Sequence, residues 1–432
     1  MSGGLAVAVR ELRHLPAVWR APRRSPEATR IRALREINTL LARCRAVVPH
    51  YRDSTDYPDQ PLTDLLELAA LPLLSKRIVL ESGVERFHDP GLRRYRTDVT
   101  SGTTGTRLRV RHDVDGYGYH GATVLRRFLR SGYRPWWRIA HIKPFPRPVR
   151  WFQRLGLFPR AVVPAGQSEE DIAAQVLAVR PQLIMGYPLV LRGLLRALST
   201  ADRTRLRAHL KLVMTDSELL TDEVAAGLAE GFGVPIYDEY SAYEVLTVST
   251  GCHAGSMHID EDRVWVEIVD DDGAPVPDGT TGSVVVTNFR EKAMPLLRYQ
   301  LGDRAKIEPG RCRCGSGFRH MKLVEGRVND CVTLPSGRRI YSGVFLAMAM
   351  FTPGVAECMV RQDAEGLITV QLVPEQNVSF EAAQTSFAHR FAELVDAPVP
   401  LTIVAAERVE LTPGGKGRFV ESAYQQDHGL RH

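Results

Sequence analysis

Several short stretches of this chain hold residue types that can handle a nucleotide, and no single one decides the matter. Thr100-Ser101-Gly102-Thr103-Thr104-Gly105-Thr106 crowds hydroxyls and glycines into one turn. Small residues let a ligand approach the backbone closely, and N–H groups and hydroxyls can then converge on a polyphosphate. No Gly-Lys-Ser/Thr follows, so the stretch is not a Walker A loop. Tyr237-Asp238-Glu239-Tyr240-Ser241-Ala242-Tyr243-Glu244 overlaps a strand-like run, VPIYDEY. A carboxylate at the C-terminal end of a parallel strand lies where open α/β sheets bind ligands. Glu244 is therefore a candidate Mg²⁺ ligand, because that ion favours carboxylate and phosphate oxygens. The alternative is that these tyrosines pack in the core and the acids face water. Asp303, after Gly302 in Arg298-Tyr299-Gln300-Leu301-Gly302-Asp303, can accept two hydrogen bonds from a ribose diol, although a Gly-Asp pair in isolation is ordinary turn chemistry. Glu325-Gly326-Arg327-Val328-Asn329-Asp330 sits at a turn-rich junction. Near the end, glycines flank the lone Lys416 in Thr412-Pro413-Gly414-Gly415-Lys416-Gly417-Arg418. Such an arm can deliver one positive charge to a reacting phosphate or carboxylate.

A second kind of chemistry is suggested by the cysteines, at positions 44, 252, 312, 314, 331 and 358. In a chain of this size without a secretory signal they read as free thiols or metal ligands, not as a disulfide framework. Cys252, His258, Cys312 and Cys314 supply the four soft ligands of a closed tetrahedral zinc site, though their spacing is not that of a standard finger. With all four positions filled by protein, such an ion would be structural. His253 and His320 are the competing ligands.

The elements that must position these groups follow from the hydrophobic pattern. The chain has 432 residues, 44% hydrophobic and 25% charged, enough for a large domain and a smaller one and too apolar for disorder. Residues 26–49 carry Ile31, Leu34, Ile37, Leu40 and Leu41 at helical spacing, which predicts a surface helix. LPLLSKRIVLES predicts a short helix after a proline turn. From about 95 to 250, strand-like RIAHI, QLIMGY, LKLVMT and PIYDEY alternate with helical 169–180, 189–199 and 221–231, the rhythm of a parallel α/β sheet. Residues 256–308 change to an antiparallel section, with a hairpin at DDGAPVPDG. The last hundred or so mix strands (LITVQLV, LTIVAAERVEL) with a helix at 380–395, a small α+β unit.

The net charge is +6, with arginines concentrated in the first 50 residues. Charge runs of this kind usually mark a solvated helix face, and no nucleic-acid motif accompanies them, so no nucleic-acid partner is expected. No stretch approaches the roughly 18 apolar residues of a membrane span, and the opening MSGGLAVAVRELRH does not read as a signal peptide. The expected compartment is the cytoplasm.

Taken in order, TSGTTGT, YDEYSAYE, RYQLGD, EGRVND and PGGKGR resemble the core motifs of the adenylate-forming superfamily. VVPHYRD and LPLLSKRIVLES narrow the similarity to the phenylacetate–CoA ligase-like family, and cover nearly the whole chain. The resemblance implies a large N-terminal adenylate-forming domain, 1–326, of parallel sheets plus an antiparallel section. A small C-terminal α+β lid, 327–432, would follow. It implies that Ser101, Gly102, Thr103, Thr104 and Gly105 form a phosphate loop, and that Tyr240 lies at the nucleotide with Glu244 on Mg²⁺. Asp303 would bind the ribose hydroxyls with Arg327 beside them, Asp330 would mark the hinge, and Lys416 would serve adenylation. Gly186, Tyr187 and Pro188 would line part of the acyl pocket. Some proteins of the family hold zinc on a comparable Cys/His set. Three departures stand out. Thr106-Arg107 replaces the usual lysine after the loop, Ser241 replaces the glycine after Tyr240, and Gly326-Arg327-Val328-Asn329-Asp330 alters the hinge motif.

The implied reaction consumes ATP with Mg²⁺ to turn a small carboxylic acid into an acyl-AMP, then passes the acyl group to coenzyme A. Trp136, Trp137 and Tyr187 favour an aryl or arylalkyl acid, and core packing explains them equally well. A carrier-protein phosphopantetheine or an amine remains as alternative acceptor, a nucleotide-binding scaffold without turnover is a further reading, and the oligomeric state, a homodimer included, stays open.

Overall fold

The computed structural model describes residues 2–99, 108–143, 151–165, 167, 169–325, 331–336, 339–341, 345, 348, 352–395, 399–407, 409 and 420–424. The alternating middle of the chain folds as expected. Strands β3 (Ile139–Lys143), β4 (Arg160–Pro164), β5 (Leu183–Gly186), β6 (Leu212–Asp216) and β7 (Ile236–Ala242) lie parallel in the order β4-β3-β5-β6-β7. β5 and β6 are buried at every position, which is why they read as unbroken apolar runs instead of alternating ones. Helices Glu169–Val179, Pro188–Ala197 and Asp222–Phe232 connect them. β4 escaped the sequence pattern because it is a short, half-exposed edge strand ending at Pro164.

The antiparallel section is not a separate layer. β8 (Leu246–Gly251) turns back beside β7, and β9 (Met257–Ile259) pairs with both β8 and β13 (His320–Glu325). β12 (Tyr299–Glu308), β11 (Gly282–Asn288) and β10 (Val264–Val269) extend the same sheet to eleven strands. Before it, β1 (Tyr95–Val99) and β2 (Arg109–Asp113) pair antiparallel on either side of residues 100–107. Asp113 then caps helix Val114–Arg130, its Oδ1 accepting from the Asp115 and Gly116 N–H groups.

Helix Pro26–Val47 starts with a Ser25 cap and a proline in its first turn. Its buried stripe is Ala33, Ile37, Leu40, Leu41 and Cys44, while Ile31, expected inside, is 64% exposed. Several of its arginines are paired within the chain: Arg43 with Asp89, and Arg45 with Asp59 at 2.6 Å. No described helix is long and apolar enough to cross a membrane.

Toward the C-terminus, β14 (Cys331–Thr333) and β15 (Arg339–Tyr341) pair antiparallel, and β16 (Val355–Gln362), β17 (Ile368–Pro374), β18 (Leu401–Ala405) and β19 (Val420–Ser422) form a four-stranded sheet, packed by helix Phe380–Ala392. Its core, with Val360, Val370, Phe387 and Phe391, is continuous with Leu191, Leu194 and Phe232 on the helices of the large sheet. Arg196 reaches across to Glu357 at 3.5 Å. Residues 326–330, where the two expected domains would meet, lie outside the described residues.

One buried cation ties the segment before β1 to the large sheet. Arg298 is 2% exposed and pairs with Glu267 at 3.1 Å, and its guanidinium also donates to the carbonyls of Ala69, Leu71 and Gly273. Arg298 sits at φ +48°, in the left-handed region. Burial pushes the Glu267 carboxyl up, so without its partner that charge would be costly to keep inside. Arg298→Met is expected to destabilise the fold by about 3–5 kcal/mol, with partial recovery in the Arg298→Met/Glu267→Met pair. Urea unfolding checks this, and a loss below about 1 kcal/mol for the single variant would contradict it.

Candidate functional site

The joint between the parallel and antiparallel halves gathers three of the groups singled out in the sequence. Tyr240 projects from β7, Glu244 occupies the turn between β7 and β8, and Asp303 lies on β12. The Tyr240 hydroxyl donates to Asp303 Oδ2 at 2.7 Å, and the Tyr299 hydroxyl donates to Glu244 Oε1 at 3.3 Å. Tyr237 and Tyr240 are each 8% exposed and Glu244 is 9% exposed, so two of the motif's three tyrosines pack in the core, while Tyr243 is 47% exposed. Tyr299 was quoted in the sequence only as a neighbour of Asp303. Its place four residues before Asp303 on the same strand is the signal that could have marked it.

The carboxyl ends of the parallel strands carry a second group of charges. Lys143, at the end of β3, lies 2.6 Å from Asp216 at the end of β6, and its ammonium stands 4.6 Å from the Tyr187 ring centre. Burial opposes the Asp216 charge, but Lys143 and His141 outweigh it and bring the carboxyl down to about 2. Asp238, on β7, is pushed up by burial to about 7 while accepting the Thr215 hydroxyl at 2.6 Å. Glu239 pairs with Arg127 and accepts from the Thr247 hydroxyl. Gly186 ends β5 and Pro188 opens the next helix, so Gly186, Tyr187 and Pro188 do stand at the ligand-binding end of the sheet. A Cβ at Gly186 would come within 3.3 Å of Ile142 Cβ. Trp136 and Trp137 precede β3 and therefore lie at the opposite end. Trp136 is 63% exposed, and Trp137 packs beside Tyr133 at 5.9 Å between ring centres. Tyr187 is the aromatic residue of the three that faces the carboxyl ends.

The metal candidates converge as well. The ligand atoms of Cys252, His258, Cys312 and Cys314 all lie within 4.8 Å of one another. Cys252 Sγ is 3.6 Å from Cys312 Sγ, against about 3.8 Å between two sulfurs on a tetrahedral zinc with ~2.3 Å bonds. Cys314 Sγ is 3.1 Å from His258 Nε2. His258 Nδ1 faces the Phe318 carbonyl at 3.1 Å, which fixes the proton on Nδ1 and leaves Nε2 as the ligating nitrogen. Burial lowers His258 to about 4, so it is neutral, as a ligand must be. β9 places His258 opposite Thr250 and His320, and the loop from β12 to β13 brings in the two later cysteines. His253 is exposed, and His320 is outside the cluster, its ring centre 5.7 Å from that of His258. The chemistry of the set, three thiols and an imidazole, fits zinc.

The remaining expected groups, Ser101, Gly102, Thr103, Thr104, Gly105, Arg327, Asp330 and Lys416, fall outside the described residues.

The chain is similar to known proteins over most of its length. The phenylacetate–coenzyme A ligase of Thermus thermophilus is 25% identical over 433 residues, spanning 90% of this chain and 96% of that protein. That of Aromatoleum evansii is 26% identical, spanning 86% and 89%. A crystal structure of 2-hydroxyisobutyryl-CoA ligase, in the postadenylation state with an acyl-AMP bound, matches with a TM-score of 0.76 at 17% identity, across 93% of this chain and 91% of that one. The chain is similar along nearly its whole length to phenylacetate–coenzyme A ligases and has the fold of an acid–CoA ligase. No protein-family model matches it.

The serine after Tyr240, where the motif it resembles has glycine, has a local explanation. Pairing between β7 and β8 shifts register between Tyr240 and Ser241, so an irregularity absorbs the turn, and Ser241 needs no left-handed φ. For the metal centre, about one zinc per chain is expected in purified protein, lost in the Cys312→Ser/Cys314→Ser variant together with several degrees of Tm. Elemental analysis that finds no zinc in the wild-type protein would remove the site.

Proposed function

We propose that this protein uses ATP to activate a small carboxylic acid, an aryl or arylalkyl one, as an acyl-AMP and then transfers the acyl group to coenzyme A. The observation that carries the reading is the meeting of Tyr240, Asp303, Glu244 and Tyr299 at one sheet joint, drawn from motifs about 60 residues apart, in a chain that aligns end to end with acid–CoA ligases.

A carboxylate is a poor electrophile, since its charge repels nucleophiles and oxide is a bad leaving group. The acid's oxygen instead attacks the α-phosphorus of ATP, and pyrophosphate leaves with the electron pair of the broken P–O bond. The coenzyme A sulfur then attacks the acyl carbon, and AMP departs. In the first step several negative charges share one place, so their stabilisation sets the rate. Asp303, held by the Tyr240 hydroxyl, is assigned to the ribose diol, with Arg327 beside it. Glu244, oriented by Tyr299, is assigned to Mg²⁺, which when bound neutralises phosphate charge. Ser101, Gly102, Thr103, Thr104 and Gly105 are assigned to the phosphates and Lys416 to the reacting carboxylate and α-phosphate. Gly186, Tyr187 and Pro188 would wall the acyl group at the end of β5. Asp330 would be the pivot between a large unit, 1–326, and a lid, 327–432. The zinc at Cys252, His258, Cys312 and Cys314 would tie the strand after Glu244 to the β12–β13 loop and take no part in the chemistry.

A pyrophosphate-exchange screen over aromatic, fatty and amino acids tests the first half of this reading. Acid-dependent exchange is expected with a member of the aromatic set, and a chain that never forms AMP with any acid would overturn the proposal. Lys416→Ala should lower acid-dependent pyrophosphate release by about a hundredfold or more while ATP still binds. Normal release by that variant would remove the lysine assignment. Offering the acyl-AMP to coenzyme A, to a carrier protein and to amines separates the acceptors.

A further inference from the structure

Glu244 sits in a turn of only three residues between β7 and β8, and side chains from elsewhere in the fold hold that turn by its carbonyls. Arg263 and Asn288 donate to the Val245 carbonyl at 2.7 and 3.3 Å. Both come from the antiparallel half. His112 comes from β2, a different sheet, and its Nε2 lies 3.0 Å from the Tyr243 carbonyl, the peptide immediately before Glu244.

The other ring nitrogen of His112, Nδ1, lies 2.9 Å from Glu291 Oε2. Glu291 Oε1 accepts from the backbone N–H groups of Asp113 and Ala293, and burial pushes the Glu291 carboxyl up to about 7 against the pull of His112. The Tyr243 carbonyl can only accept, so Nε2 carries a hydrogen and donates it, whichever of the pair holds the proton between Nδ1 and Oε2. Burial opposes a charge on the ring, but the hydrogen bond and charge of Glu291 outweigh it and hold His112 above its ordinary value. The pair is sealed from water, with the two side chains 0% and 2% exposed. The turn that carries Glu291 is latched to the same place from the other side, where Asp113 Oδ2 accepts from the Lys292 N–H. His112 thus makes a rigid bridge. Glu291 fixes its ring, and its far nitrogen grips the Glu244 turn.

We infer that His112 is a positioning residue for magnesium–nucleotide binding, setting the Tyr243–Glu244 peptide so that the Glu244 carboxylate faces the bound ion. The inference rests on the assignment of Glu244 proposed above. His112 touches neither substrate nor metal in this account. It acts through the Tyr243 carbonyl.

Two substitutions separate the halves of the bridge. Glutamine places an amide nitrogen where Nε2 was, so His112→Gln keeps a donor for the Tyr243 carbonyl and gives up Glu291. Asparagine places its amide near Nδ1, so His112→Asn keeps Glu291 and gives up the Tyr243 carbonyl. Binding of MgATP is measured at fixed Mg²⁺ and again by titrating Mg²⁺ at fixed ATP. His112→Asn is expected to weaken MgATP about tenfold and to raise the Mg²⁺ requirement, while His112→Gln stays near wild type. Glu291→Gln should also stay near wild type, because its amide can donate to Nδ1 while Nε2–H still grips the carbonyl. That arm stands even if His112→Asn fails to fold. Equal affinity in His112→Asn and His112→Gln, or a tenfold loss in Glu291→Gln, would overturn the inference. A wild-type chain that binds no MgATP at all would instead remove the proposed function.

Discussion

The fold turns on one chain reversal, the short turn between β7 and β8. Up to Ala242 the sheet is parallel and its ligand-binding edge is the row of strand carboxyl ends. From Leu246 onward the strands run back, and the sheet continues through β9 and β13 into the antiparallel half. Backbone hydrogen bonding makes this continuity obligatory, because an unpaired β7 edge in the middle of the molecule would bury unsatisfied N–H and C=O groups. Tyr240 and Glu244 are therefore fixed at the joint, and Asp303 and Tyr299 arrive opposite them on β12.

Buried charge is the second organising constraint. Arg298 with Glu267, Arg126 with Asp260 and Asp262, and His112 with Glu291 are each enclosed and each paired. Ion pairs of this kind add little net stability over apolar packing, yet removing one partner leaves a desolvated charge that the interior cannot accommodate. Their effect is to make the geometry specific. Arg298 spans three backbone carbonyls from two distant segments, and Arg126 clamps two aspartates just beyond the zinc-candidate strand. The excess positive charge of the N-terminal region is likewise spent in part on intramolecular acids such as Asp59 and Asp89.

Local pattern made a good part of this legible. β3, β5 and β6 were readable because both faces of each are covered, which forces an apolar run whatever the neighbours are, and β7, half-buried along most of its length, was readable from its place in the same rhythm. The helices between them were readable from their period and caps. The edge strand β4 and the first strand of the C-terminal sheet, β16, were not. One is half exposed, and the other mixes polar residues with its apolar face. Ile31 was misplaced because a helix of 22 residues offers more than one apolar stripe, and only the packing partner decides which is buried. Trp136 and Trp137 show the same limit at the site: side-chain type suggested a pocket, but their position before β3 puts them at the wrong end of the sheet.

What the sequence determined by itself was the inventory and its order: motif residues, four soft metal ligands, a parallel α/β rhythm followed by antiparallel strands. Residue chemistry and hydrophobic period are local properties, so they survive in one dimension. Only the tertiary structure decided which of these groups meet. That Tyr240 would donate to Asp303, 63 residues away, that Tyr299 would orient Glu244, and that His112 would reach the peptide beside it depends on strand order and register. Those are set by the pairing of the whole sheet, and no single segment encodes them.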